Sequence, residues 1–67
     1  MPETTFFLRF HHADSSEIEE FEHISEADAR EHMGLFGPGD ADIYTCIELI
    51  SYNRSTREEQ LLDTCTL

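Results

Sequence analysis

The chain has 67 residues, enough for one domain around one thin core. Asp and Glu total 15 against four Arg and no Lys, a formal net charge of −11. That field repels DNA, RNA and anionic membranes and argues against direct nucleic-acid binding. Five Phe and two Tyr argue against disorder.

Residues 4–12, TTFFLRFHH, read as a strand. Phe6, Leu8 and Phe10 alternate with Phe7, Arg9 and His11, which places the first set in the core. Ala13 to Ser16 is a turn cluster. In residues 17–24 the spacing of Ile18, Phe21 and Ile24 hints at helix. That stripe does not continue into Ala29, Met33 and Phe36, and it breaks at Ser25. Ser25 and Asp28 make an N-cap pattern. The expectation is a short strand over 18–24 and a helix over 26–36, closed by Gly34 or Gly37 with Pro38 beyond. Glu26 and Arg30 stand at i,i+4 in the favourable order.

Residues 37–40 read as a loop. Residues 42–52 and 58–67 read as two strands joined by a four-residue turn at 54–57. That turn pairs Asn53 with Glu58, Ile50 with Leu61, Leu49 with Leu62, Glu48 with Asp63 and Cys46 with Cys65. Ile43, Ile47, Leu49 and Leu62 then face the helix. Tyr44, Cys46, Glu48, Ile50, Tyr52, Leu61, Cys65 and Leu67 share the opposite face. The expected fold is α+β, in the order ββαββ. It is one domain, 1–67, with an antiparallel four-stranded sheet and one helix packed on one face.

Few patterns here suit catalysis. There is no Gly-rich phosphate loop, no G-x-S-x-G and no H-E-x-x-H, so the chain reads as a non-enzyme without cofactor. Cys46 and Cys65 lack the C-x-x-C spacing and read as structural thiols, reduced in a cytosolic chain, with a strained cross-strand disulfide as the alternative that their expected pairing permits. His11, His12 and His23 would approach one another if the first two strands pair, but their spacing matches no zinc signature, and no metal is assigned. No apolar run is long enough to span a membrane and the N-terminus lacks a signal-peptide pattern. The expected location is therefore the cytoplasm.

The acidic run stands out. Asp14, Glu17, Glu19, Glu20, Glu22, Glu26, Asp28 and Glu31 fall within eighteen residues. A solvated face explains it. So does a basic partner, for which carboxylates on a rigid element stand in for phosphates. On that reading the partner-binding residues are Glu17, Glu19, Glu20, Glu22, Glu26 and Glu31, with Glu48, Tyr44 and Tyr52 on the apolar sheet face. The competing reading is a homodimeric module that uses the sheet face, its acidity serving solubility or salt tolerance.

The segment 18–33, IEEFEHISEADAREHM, followed by the hairpin at 42–67, resembles the small acidic phage-encoded anti-CRISPR proteins that inhibit type I systems. The resemblance is one of size, charge and layout over nearly the whole chain. It implies an inhibitor in a bacterial host cell. Such an inhibitor would bind a basic site on a Cas subunit or surveillance complex and block target DNA. No diagnostic motif accompanies the resemblance, so no residue role is carried over by identity.

Overall fold

The computed structural model describes residues 3–67. Four strands and one helix follow the expected order: β1 (Thr4–His12), β2 (Ile18–His23), α1 (Glu26–Met33), β3 (Tyr44–Asn53) and β4 (Glu58–Thr66). The strands form one antiparallel sheet in the order β2-β1-β3-β4. The longest alternating apolar segments, β1 and β3, take the two inner positions. The acid-rich β2 and β4 take the edges, where charge discourages pairing with other chains.

The helix forms where the sequence signals it. Ser25 is the N-cap, and its Oγ accepts the Asp28 N–H at 3.2 Å. Eight residues make barely two turns, too few to persist without tertiary packing. Ala29 supplies that packing, fully buried against the sheet, with Met33 beside it. The helix stops at Met33 rather than at Phe36. Gly34 closes it, and its N–H reaches the Arg30 carbonyl at 2.9 Å. Phe36 still reaches the core, but from the turn beyond the helix. Pro38–Asp40 is one 3-10 turn, in which Asp40 accepts the Gly37 N–H at 2.9 Å.

The core is Leu8, Phe10, Ala29, Ile47 and Leu49. Phe10 is its hub, with ring centroids of Phe36, Tyr44 and Phe21 at 4.9, 5.1 and 5.3 Å. Edge-on aromatic packing of this kind adds to simple burial. Among the described residues, no fully buried side-chain N or O atom lacks a hydrogen-bond partner.

Two bulges revise the expected faces. The β3–β4 pairing is as expected from Asn53↔Glu58 to Ile50↔Leu61, then shifts by one so that Leu49 faces Asp63. The extra residue in β4 turns both Leu62 and Asp63 toward the helix side. Leu62 packs on the core there, and Asp63 accepts Arg30 Nη1 at 3.0 Å. A one-residue shift exchanges the two faces of everything beyond it. Cys65 therefore lies opposite Ile47 on the core side, and Leu67 also packs on the core. Cys46 lies opposite Thr66 on the other face, so the expected Cys46–Cys65 opposition is wrong. The expected repulsion of Glu48 and Asp63 also disappears, since Glu48 faces Thr64. The second irregularity falls between His11 and His12 and turns Tyr44 to the core side. Ile43 precedes β3 and is exposed rather than facing the helix.

Candidate functional site

The sheet has one covered face and one open face. Alternation along β1 sends Phe7, Arg9 and His11 to the open side. Their cross-strand partners there are Glu22, Glu20 and Ile18 on β2 and Ile50, Glu48 and Cys46 on β3. Tyr52 on β3 and Glu59 and Leu61 on β4 complete that face.

Arg9 organises the open face. Its Nε donates to Glu20 at 2.8 Å and its Nη2 to Glu59 at 3.1 Å. The carboxylates come from the two edge strands, so the guanidinium lies across the middle of the sheet. The Glu20 hydrogen bond is the main influence raising the Arg9 pKa; burial opposes it, and Glu59 adds to the rise. His11 pairs with Glu48, and Arg54 reaches Glu22 at 3.4 Å. Beside Arg9, Phe7 and Tyr52 meet edge-on with centroids 6.1 Å apart. Phe7, Tyr52, Glu20 and Glu59 line a shallow depression of about 260 Å³. Ile50 is buried beneath this layer, whereas Leu61 beside it is 55% exposed.

The sequence-derived binding residues divide between the faces. Glu20, Glu22, Glu48 and Tyr52 share the open face. Glu19 points to the helix side, where its carboxylate meets His12 Nε2 at 2.6 Å. Tyr44, expected on the open face, packs against Phe10 and Phe36 in the covered layer. Glu26 lies in the first helical turn, bonded to Arg30 Nε at 2.7 Å. Glu17 precedes β2, and Glu31 sits exposed on α1. The strand period of two separates Glu19 from Glu20 and Glu22, so the acidic run is not one continuous face. Arg9, Phe7 and Glu59 are absent from the sequence-derived set. The alternation of β1 already placed Phe7 and Arg9 on one side, and the pairing of Tyr52 with Glu59 followed from the 54–57 turn.

His11, His12 and His23 do not converge. His11 is on the open face. His12 and His23 are at opposite ends of the covered face, His23 opposite Phe6 and His12 just beyond the last β1–β2 pair, His12 with Glu19 and His23 with His32. Among the described residues, no group of three or more His, Cys, Asp or Glu is placed to hold a metal ion. Among the same residues, no helix is long and apolar enough to cross a membrane. Comparison of the chain with protein-family models, curated proteins and solved structures finds no match.

Proposed function

We propose that the protein is a binding module that occupies the basic nucleic-acid-binding site of a partner protein and keeps target DNA out of it. The observation that carries this reading is the fate of the cations. Arg9, Arg30 and Arg54 are each held by the chain's own carboxylates, in a protein with 15 acidic residues and four Arg. What is presented outward is therefore overwhelmingly negative, on a rigid sheet, which suits a surface built for phosphates. The mimicry is one of field rather than of a single phosphate row, because the carboxylates lie on both faces. The resemblance to anti-CRISPR proteins supports a Cas subunit of a type I surveillance complex as the partner, in the bacterial cytoplasm.

The test is capture of partner proteins by the tagged chain at low and high salt, followed by competition with duplex DNA. Capture that weakens steeply with salt and yields to DNA supports the reading. Capture indifferent to salt, with DNA bound alongside, overturns it. A homodimer through the open face is the second reading, favoured by the exposure of Leu61 beside Ile50. Sedimentation distinguishes the two: a dimer dissociated by Leu61→Asp supports the second.

A further inference from the structure

The depression on the open face combines three features. Phe7 and Tyr52 present aromatic surface, with their rings edge-on at 6.1 Å. Glu20 and Glu59, each about half exposed, border them. The two carboxylates already hold a guanidinium between them, that of Arg9. Arg9 fills the space between them, so what remains for an incoming cation is the Glu20 oxygen that Arg9 does not engage. Two carboxylates against one guanidinium leave one negative charge uncompensated. Both Glu59 oxygens turn to Arg9 Nη2, at 3.1 and 3.3 Å, whereas only one Glu20 oxygen engages Arg9.

A second copy of the chain is a poor occupant. It would bring a face that carries Glu20, Glu22, Glu48 and Glu59 against an identical face, and an excess of like charge on both sides costs binding energy. A positively charged side chain suits every feature. Its charge neutralises the surplus carboxylate. Its cationic head gains from the aromatic faces of Phe7 and Tyr52. Its aliphatic stem covers the apolar strip that ends at Leu61.

We propose that the depression lined by Phe7, Tyr52, Glu20 and Glu59 is a receptor for one arginine or lysine side chain of a basic partner protein, the anchor of the interface. This rests on the reading of the protein as a binder of basic surfaces and assigns the contact to the open sheet face rather than to the helix. An anchor of this kind concentrates binding energy in a few residues, with the remaining carboxylates steering the approach.

The experiment is an NMR titration of the intact chain with capped Gly-Arg-Gly, with capped Gly-Lys-Gly and neutral Gly-Gln-Gly alongside. The expected result is saturable shifts of the Phe7 and Tyr52 ring signals with the two cationic peptides and none with the neutral one. Glu59→Gln and Tyr52→Leu should each weaken the arginine peptide by about two- to fivefold. Asp28→Asn, exposed on α1 over the other face, should leave it unchanged. Shifts spread over Glu17, Glu31 and Glu58 without the two rings, or indifference to both cup variants, overturns the proposal. Partner capture separates the two readings. DNA-competed capture that survives both cup variants keeps the mimicry and removes the cup. Saturable peptide binding at the rings without DNA competition keeps the cup and removes the mimicry.

Discussion

His23 Nε2 and His32 Nδ1 lie 2.9 Å apart, a single hydrogen bond that ties β2 to α1. The two nitrogens share one proton, so protonation of the accepting nitrogen removes the acceptor and sets two N–H groups against each other. His32 also touches the rings of Phe10, Phe21 and Phe36. Burial there, and secondarily His23, lower its pKa from the ordinary histidine value. The unfolded chain then binds this proton more readily than the folded one. The contribution to stability is complete above about pH 6.5 and is lost as pH falls through the lower folded value. Urea midpoints from pH 7.5 to 5 should decline in the parent chain. In His32→Gln the slope over that window should flatten; an unchanged slope would assign the decline to other groups.

Arg57 is the one non-glycine residue with positive φ among those described, at 63°. It closes the β3–β4 turn, and its N–H donates to the Asn53 carbonyl at 2.7 Å. Asn53 Oδ1 accepts the N–H groups of Ser55 and Thr56 at 2.9 and 3.2 Å, fixing the remainder of the turn. A side chain at this left-handed position costs about 1 kcal/mol. Arg57→Gly should stabilise by about 0.5–1 kcal/mol, a rise of a few degrees in Tm on the order expected for so small a domain. Arg57→Val, β-branched, should lower Tm instead. Thermal melts by circular dichroism decide the sign.

The hairpin also shows where sequence reasoning stops. β1, the Ser25 cap and the 54–57 turn follow from local chemistry, and the structure has all three. A bulge leaves no comparable mark. Nothing in Leu61-Leu62-Asp63 announces an extra residue; it arises because Leu62 gains the core and Asp63 gains Arg30 when both turn the same way. That single step moved Cys65 and Leu67 to the covered face and reduced the apolar patch expected on the open one. The acidic face was misjudged for a related reason. Eight carboxylates close in sequence look like one field, but Glu19, Glu20 and Glu22 are dealt by β2 to two faces, Glu26, Asp28 and Glu31 lie on α1, and pairing with Arg9, Arg54 and His12 is set by residues distant in the chain.

With Cys46 and Cys65 on opposite faces, the folded monomer should form no intrachain disulfide. Two thiols should titrate with a thiol reagent after mild oxidation of dilute protein, and non-reducing mass spectrometry should show the unlinked mass. An intrachain crosslink formed without unfolding would place the β4 register one residue away from that described.

Phe10 is 1% exposed at the centre of the aromatic cluster. Phe10→Ala should cost about 3–5 kcal/mol, the usual range for emptying such a site. A domain of this size holds only a few kcal/mol in total, so the variant should be largely unfolded at room temperature. Leu61→Ala, at a half-exposed position on the open face, should shift the urea midpoint little. Comparable losses in both variants would mean that the open face is as important to the fold as the covered one.

Arg9 offers the sharpest electrostatic test. It holds Glu20 and Glu59 from opposite edges of the sheet, and it does so in a chain of net charge −11. Arg9→Met keeps the aliphatic stem that covers the sheet but removes the charge. Two exposed ion pairs are lost, each worth at most about 1 kcal/mol, and two carboxylates are left facing a strongly negative surface. The expected loss is about 0.5–2 kcal/mol at low salt. Screening shortens the reach of charge from about 30 Å at 0.01 M to about 10 Å at 0.1 M, so salt should recover part of the loss. Glu59→Gln in the Arg9→Met background should recover more, because it removes one of the stranded carboxylates. Urea midpoints for the single and double variants at two salt concentrations form a double-mutant cycle. A coupling that vanishes at low salt would show that Arg9 merely lies between the two glutamates without binding them, and the open face would lose the ion pairs that shape its central depression.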